Sequence, residues 1–280
     1  MPPSLEQIPG WFWPADQRLF DWFLSDERPG DLLELGVYMG KSAVLIGRHL
    51  RRGERFTVCD LFESDAPDAA NDAETSRSYS TLTRRRFEEN YLAFHDALPD
   101  VVHGPTSEIL AHVKPDSCRF VHVDASHLYA HVREDVLSAR TVLGEDGVVV
   151  FDDYRSEHTP GVSLAVWEAV ANLGLAPICV STQKLYATWG DAAGYQARLL
   201  AWLSTAEDMW HTVDELDARP LVRVNVRKKK AASDVAELRK VAAELKRTSA
   251  ELKKTAADLR AGGPVVRRAL RWTRRIVGRS

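Results

Sequence analysis

The sequence is poor in the features that mark secreted, zinc-binding and membrane-spanning proteins. Its three cysteines, Cys59, Cys118 and Cys179, lie far apart and form no Cys-x-x-Cys pair, which argues against a disulfide framework or a thiolate zinc site. The first residues, MPPSLEQIPGWFW, have neither the basic start nor the apolar core of a signal peptide. No apolar run approaches the roughly 20 residues that cross a bilayer. These absences favour a cytoplasmic protein that is either free or peripheral on the inner face of the cell membrane.

Basic residues are scarce in the body of the chain and concentrated near its end. Residues 222–280 contain 18 Lys and Arg against 5 Asp and Glu, whereas residues 1–221 contain 19 against 35. An acidic body with a basic tail indicates two parts with different partners. With 45% hydrophobic residues in 280, the chain can bury one core of roughly 200 residues and carry an appendage.

Short apolar runs alternate with helical patterns over most of the chain. Runs at 31–36, 55–60, 119–125 and 148–151 predict buried strands, each with a helical segment after it. This order predicts an α/β fold with a Rossmann-like, doubly wound and mostly parallel sheet. Residues 176–189 predict an antiparallel hairpin at one edge of that sheet.

Three other segments complete the predicted domain. Residues 1–29, rich in aromatics, predict an N-terminal helical segment. Residues 62–80, rich in Asp, Ala and Ser, predict a long loop or lid. The Gly-Glu-Asp-Gly sequence at 144–147 predicts a turn before the strand 148–151.

Acidic residues end four of the predicted strands: Glu34, Asp60, Asp124 and the pair Asp152–Asp153. Ligands of an open parallel sheet bind beyond the carboxyl ends of its strands. The functional edge of the sheet is therefore expected to be acidic.

Gly36 and Gly40 lie between the first strand and the first helix. Glycine allows a tight turn and a close approach of a ligand, and the helix N-terminus offers free N–H groups to an anion. Their spacing matches neither the dinucleotide fingerprint nor a Walker loop. Asp60, about 20 residues on, is placed to accept both hydroxyls of a ribose. The combination predicts a cofactor that contains ribose, and an ordinary strand–helix turn is the alternative.

Asp152 and Asp153 are adjacent, and two neighbouring carboxylates need a proton or a cation between them. With Asp124 they supply three hard oxygen donors, a set that suits Mg²⁺ or another divalent cation better than zinc. A helix cap plus a solvated loop charge is the alternative. His127 is placed to take a proton from a bound hydroxyl, or else packs or caps a helix. His122, inside a strand, is expected in the core.

Several motifs occur in the order found in a known family. ELGVYMG, VCDLF, RFEENY, VDASHLY, GEDGVVVFDDY and PGVSLAVWE span roughly residues 30–190. They resemble the class I S-adenosylmethionine-dependent methyltransferases, and more narrowly the macrocin O-methyltransferase branch of antibiotic-sugar enzymes. The resemblance implies a divalent ion on Asp124, Asp152 and Asp153, and His127 and Asp124 as catalytic residues. It implies that the cofactor contacts Glu34, Gly36, Gly40, Lys41, Ser42, Asp60, Leu61, Thr106, Ser107 and Asp124.

The expected function is an S-adenosylmethionine-dependent O-methyltransferase, assisted by Mg²⁺ or another divalent cation. A hydroxyl bound to such a cation has a lowered pKa and a fixed orientation. The expected acceptor is a sugar hydroxyl of a glycan, glycolipid or glycosylated metabolite. Three alternatives remain: a catechol or caffeoyl-type O-methyltransferase, an NAD-dependent oxidoreductase, and a non-catalytic membrane-tethered scaffold.

The predicted methyltransferase domain covers residues 1–226, and two helices are expected after it. Residues 227–260 carry a thin heptad seam, which favours a helix that self-associates into a homo-oligomer, although an isolated or docked helix is the alternative. Residues 261–280 place arginines on one helix face and apolar residues with Trp272 on the other. This pattern is typical of helices on anionic membranes; a protein partner is an alternative, and nucleic acid is less favoured. The leucines of the seam are Leu238, Leu245, Leu252 and Leu259.

Overall fold

The computed structural model describes most of the chain, as two compact units. The first unit ends at Arg227 and the second begins at Lys228. No helix of the described residues is long and apolar enough to cross a membrane. The predicted basic helix at 261–280 lies outside the described residues. These are residues 4–66, 68–78, 81–216, 219–227 and 232–260.

The described part of the first unit contains a nine-stranded sheet in the order β3-β2-β1-β4-β5-β7-β6-β9-β8. Strands β1 to β5 pair in parallel, and β7 is antiparallel to both β5 and β6. The predicted Rossmann-like fold with an antiparallel edge is thus confirmed. The strands are β1 (Asp31–Leu35), β2 (Phe56–Asp60), β3 (Asp100–His103), β4 (Cys118–Val123), β5 (Leu143–Phe151), β6 (Ala176–Val180), β7 (Leu185–Thr188), β8 (Met209–Leu216) and β9 (Arg219–Val226).

Helices begin where the sequence supplies a start signal. Gly40, in the left-handed region, precedes the first helix after β1, and Pro160 opens the helix after β5. The side chain of Thr83 accepts a hydrogen bond from the Arg86 N–H and so caps a third helix. The helices are α1 (Pro14–Leu24), α2 (Lys41–Gly47), α3 (Ala69–Ser78), α4 (Arg84–Leu92), α5 (Tyr129–Val142), α6 (Pro160–Asn172), α7 (Ala192–Thr205) and α8 (Ala232–Arg260), with short 3₁₀ turns at Leu5–Gln7 and Thr106–Ala111.

The central strands are buried on both faces, as the continuous apolar run in β5 predicts. Val148 and Val150 pack in one hydrophobic cluster, and Val149 and Phe151 pack in the other. The first cluster includes residues of α1, α2, α4 and α7, whereas the second includes residues of α5 and α6. A parallel sheet covered on both faces opens to ligands mainly at its strand ends.

Three segments differ from their predictions. The predicted loop 62–80 contains α3, whose start is capped by Asp68 through the N–H groups of Ala70 and Asn71. The predicted turn 144–147 belongs to β5, which begins at Leu143 and shifts register against β4. A second hairpin, β8–β9, extends the sheet beyond β6.

The described part of the second unit is helix α8, which covers most of the predicted heptad segment. Leu245 and Leu252 are each 66% exposed, and Val241 is 48% exposed. Two of the four seam leucines, Leu245 and Leu252, are thus exposed, and self-association of the helix stays a prediction.

Candidate active site

A cavity of about 690 Å³ opens at the carboxyl ends of the parallel strands, the position that the acidic residues predict. It is bordered by the turn after β1, the end of β2, and the segments that follow β3, β4 and β5. The N-terminal segment adds Trp11 and Trp13 at its border. Of the predicted site residues, those that line the cavity are Gly36, Lys41, Ser42, Asp60, Leu61, Thr106, Ser107, Asp124, His127, Asp152 and Asp153.

The glycine turn lies against the segment that follows β4. Gly36 has φ +80°, and a Cβ added there would lie 2.1 Å from the carbonyl oxygen of Asp124. Only glycine fits this position without moving the backbone. Gly40 has φ +86° and faces the ring of Phe87, not the cavity.

Asp60 holds the glycine turn through its carboxylate. Its Oδ2 accepts hydrogen bonds from the N–H groups of Val37 (2.7 Å) and Tyr38 (3.1 Å), and its Oδ1 accepts one from Phe62 (2.8 Å). Burial nevertheless raises the pKa of Asp60. A carboxylate offers about four acceptor sites, so about one is left for a ligand. The contact of Asp60 with the ribose of the cofactor stays a prediction.

The resemblance implies that Glu34 and Lys41 contact the cofactor, but of these two only Lys41 lines the cavity. Glu34 is fully buried beneath the cavity, where its Oε1 lies 2.8 Å from Nδ1 of His122. Lys41 lines the cavity but donates to the carbonyl oxygen of Gly10 at 3.0 Å, which fastens the N-terminal segment near the site.

The two acids that end β4 and β5 surround a lysine that the sequence reasoning missed. Lys184 is 1% exposed, and its ammonium forms an ion pair with Oδ2 of Asp152. The same nitrogen lies 3.0 Å from Nε2 of His122 and 4.0 Å from Oδ2 of Asp124. The prediction that His122 lies in the core is confirmed, because it is fully buried, and its ring also contacts Lys184. The sequence CVSTQKLYATW contains one sign of this role, a single lysine between two apolar strands.

Electrostatics assign charges within this cluster. Burial opposes the charge of Lys184, yet the neighbouring carboxylates, led by Asp152, raise the pKa of its ammonium above the ordinary value. Burial likewise opposes the charge of Asp152, but Lys184 lowers the pKa of that carboxyl. Burial, and then Asp152, raise the pKa of Asp124 well above its ordinary value. Burial, and then Lys184, lower the pKa of His122. The pair of Asp152 and Lys184 is thus favoured in its charged form, whereas the charged forms of Asp124 and His122 are disfavoured.

Asp153 turns away from its neighbour. It has φ +51°, its Oδ1 accepts a hydrogen bond from the Ser156 hydroxyl at 2.7 Å, and its Oδ2 lies 3.4 Å from Nε2 of His127. Among the described residues, the donor atoms that lie within 4.8 Å of one another belong to His122, Asp124 and Asp152. The predicted metal ligands were Asp124, Asp152 and Asp153. In the structure His122 takes the place of Asp153 among the donor atoms that converge.

The converging donors do not fit a divalent cation. Both ring nitrogens of His122 are engaged, one by Glu34 and the other by Lys184. The two carboxylate oxygens of Asp152 are also engaged, by Lys184 and by the N–H of Asp153. A divalent cation at these atoms would have to displace an ammonium that is almost completely buried.

The two histidines that follow β4, His127 and His131, both line the cavity, but they contact different acids. His127 lines the cavity and is partly buried beside Asp153. Its ring centroid lies 6.2 Å from that of His158, which also lines the cavity. His131 instead contacts Asp68 at 2.9 Å, which joins the start of α3 to α5.

The comparison with protein families agrees with this geometry. Residues 33–154 match the family described as a methyltransferase domain. The matched segment runs from β1 through the acids that follow β5, so it contains both the glycine turn and the acidic cluster. The predicted resemblance to class I S-adenosylmethionine-dependent methyltransferases is confirmed as far as this match reaches, because residues 33–154 match a methyltransferase domain.

Comparison with solved structures supports the fold. The O-methyltransferase NovP is 21% identical, with a TM-score of 0.50 over 66% of this chain and 78% of its own. CalS11, described as a TDP-rhamnose 3'-O-methyltransferase, is 18% identical, with a TM-score of 0.43 over 62% and 77%. An O-methyltransferase from Bacillus cereus in complex with S-adenosylhomocysteine is 13% identical, with a TM-score of 0.40 over 75% and 79%. No curated protein matches this chain.

Proposed function

We propose that the protein is an S-adenosylmethionine-dependent O-methyltransferase whose acceptor is a sugar hydroxyl. The observation that carries the proposal is that one cavity joins the glycine turn and Asp60 to His127 and Asp153. One cavity can therefore accommodate both the methyl donor and the residue that we propose as proton acceptor. The likeness of the fold to an O-methyltransferase supports oxygen as the attacked atom.

The reaction needs a base and an aligned hydroxyl. S-adenosylmethionine, when bound, supplies an electrophilic methyl group on sulfur. The acceptor oxygen forms a bond to that methyl carbon as the carbon–sulfur bond breaks, which leaves a methyl ether and S-adenosylhomocysteine. The imidazole of His127 takes the hydroxyl proton, and Asp153, whose Oδ2 lies 3.4 Å from Nε2 of that ring, orients the ring and stabilises the imidazolium.

An aromatic rim at the mouth of the cavity supports a sugar as the acceptor. Trp11 and Trp13 are 72% and 47% exposed, although both border the cavity. Trp11 stacks on Tyr38 with ring centroids 6.2 Å apart. Large exposed aromatics beside a cavity mark a binding surface, and an indole face fits the C–H face of a sugar ring.

An acceptor screen with S-adenosylmethionine labelled on the methyl group tests the proposal. Glycosides and sugar nucleotides are compared with catechols that carry the same hydroxyl spacing. We expect labelled methyl ether on a sugar hydroxyl, and a lower rate for sugar acceptors in Trp11→Ala. Label on catechols alone would overturn the assignment of the acceptor, and binding of S-adenosylhomocysteine without any transfer would overturn the assignment of the reaction.

A further inference from the structure

We infer that Lys184 supplies the positive charge that the acidic edge of the sheet requires, so that the enzyme works without a divalent cation. This inference rests on the proposed methyl transfer for its role in activity, but its metal-binding part stands by itself. Lys184 acts as a positioning residue, because it contacts Asp152 and His122 and does not line the cavity.

The pairing of the strands fixes where the lysine lies. In the antiparallel pair of β5 and β7, Val149 faces Ala187 and Phe151 faces Leu185. One step further along the same register brings Lys184 opposite Asp152. The placement therefore follows from strand register and does not depend on a flexible loop.

The turn before β7 holds the lysine backbone. The N–H of Lys184 donates to the Ser181 hydroxyl at 3.0 Å, and the N–H of Ser181 donates to the Lys184 carbonyl oxygen at 2.9 Å. The rings of Phe12 and Phe20 lie 5.7 and 5.9 Å from the ammonium nitrogen. Aromatic faces at this distance favour a cation and close the site from that side.

The groups around the nitrogen of Lys184 are the hydrogen-bond acceptors that an ammonium group requires. An ammonium has three N–H donors and no acceptor. One faces Asp152 and a second faces Nε2 of His122. Nδ1 of the same ring faces the buried carboxylate of Glu34, so Nδ1 carries the proton and Nε2 is free to accept. Asp124, at 4.0 Å, is the nearest further acceptor for the third.

A divalent ion and this ammonium exclude each other. Two cations a few ångströms apart in a buried site repel each other strongly. Because Lys184 is 1% exposed, its ammonium has no open path into solvent that would make room for the ion. Breaking the pair would leave a buried charge without a partner, which is costly. The acidic edge of the sheet is therefore neutralised by a single cation, the ammonium of Lys184.

The test measures metal binding and methyl transfer separately in the full chain. Mn²⁺ binding is followed by electron paramagnetic resonance, and Mg²⁺ binding by calorimetry. For the unchanged chain we expect no saturable binding of either ion and equal activity with and without EDTA. Stoichiometric Mn²⁺ binding that Asp152→Asn abolishes, or loss of activity in EDTA, would overturn the inference.

Two lysine variants sharpen the test. Lys184→Met removes the charge but keeps the length of the side chain, so we expect about 100-fold slower methyl transfer through loss of positioning. We also expect new Mn²⁺ binding in this variant. Lys184→Arg keeps the charge, and we expect it to stay free of Mn²⁺. If Lys184→Met does not fold, the unchanged chain and Lys184→Arg decide the question.

Failure of the proposed function is recognised separately. If no acceptor is methylated while S-adenosylhomocysteine binds, the Mn²⁺ measurements still report on the acidic edge. If methyl transfer occurs and Mn²⁺ binds stoichiometrically, the inference fails and the proposed function stands.

Discussion

The two halves of the cavity neutralise their buried acids in different ways. In the cofactor half, Asp60 is held by backbone N–H groups of the turn after β1 and of the segment after β2. In the acidic half, Asp152 is held by the ammonium of Lys184, which is 32 residues away in the chain. Local segments complete the first half, whereas a distant strand completes the second.

This difference shows which parts of a site are encoded locally. A turn between a strand and a helix supplies its N–H groups wherever glycine allows the backbone to bend. A buried carboxylate that needs a cation has no such partner nearby in the chain, so strand pairing determines which cationic side chain neutralises it. Substitutions in each half should therefore have separable effects on stability, cofactor binding and methyl transfer.

Gly36→Ala should break the cofactor half. The new Cβ would lie 2.1 Å from a backbone oxygen at φ +80°, and strain and overpacking together should destabilise the fold by about 5 kcal/mol. Urea unfolding measures this loss, and calorimetry should show no S-adenosylhomocysteine binding. Gly53→Ala is the matched control, since it has φ +90° with open space around it and should cost about 1 kcal/mol. Equal losses in both variants would mean that the close approach at Gly36 is unimportant.

Asp152→Asn should break the acidic half. It leaves the buried ammonium of Lys184 without its principal carboxylate, at a cost of about 4 kcal/mol in the free energy of unfolding. Asp208→Asn removes an exposed ion pair with Arg18 and should change stability by less than about 1 kcal/mol. If the two variants unfold at the same urea concentration, the ion pair of Lys184 contributes nothing to folding.

Asp16→Asn should remove a pH dependence that belongs to the acidic half. Asp16 accepts a hydrogen bond from Tyr186 at 2.7 Å, and burial raises its pKa to about 6. The folded chain thus binds a proton that the unfolded chain has already released. The stability from this group is complete below about pH 4 and declines by roughly 3 kcal/mol as the pH rises through 6. Unfolding measured across this range should be flatter in the variant, and an identical slope would contradict the assignment.

His127→Gln should separate chemistry from binding. Loss of a general base slows methyl transfer by about 100-fold or more, which corresponds to about 3 kcal/mol. Binding of S-adenosylhomocysteine and the unfolding midpoint should not change, because His127 is not part of the cofactor half. His131→Gln, which loses contacts with Asp68 and the Ser126 hydroxyl but keeps the pair of His127 and Asp153, is the control. Full activity in His127→Gln would move the role of base to another residue.

Removal of the tail should have the smallest effect on chemistry. A chain that ends at Arg227 keeps both halves of the cavity, so its rate of methyl transfer should equal that of the full chain. Only the full chain should bind vesicles that contain phosphatidylglycerol, at about 1 kcal/mol for each basic residue near the surface. Equal behaviour on these vesicles and on phosphatidylcholine alone would contradict a membrane role for residues 261–280.

Sequence periodicity was sufficient for most of the parallel sheet but not for two other segments. Residues 62–80 have a polar composition that suggests a loop, yet Asp68 caps a helix there. The hairpin β8–β9 is largely polar and only partly buried, so it lacks the continuous apolar runs that mark β1, β2, β4 and β5. Such segments take their structure from contacts with the sheet and the helices around it.

The α/β fold, the glycine turn and the acidic strand ends could be predicted from the sequence, because each is marked by residues that are neighbours in the chain, and the cofactor class followed from the resemblance that these motifs carry. The sequence also determined that the adjacent acids Asp152 and Asp153 required a neutralising partner. The identity of that partner became clear from the folded chain. The register of β5 against β7 brings Lys184 to Asp152, and a bend in the backbone turns Asp153 toward His127. The physical reason is that charge pairing in a buried site depends on distances in space, which a linear pattern of residues does not contain.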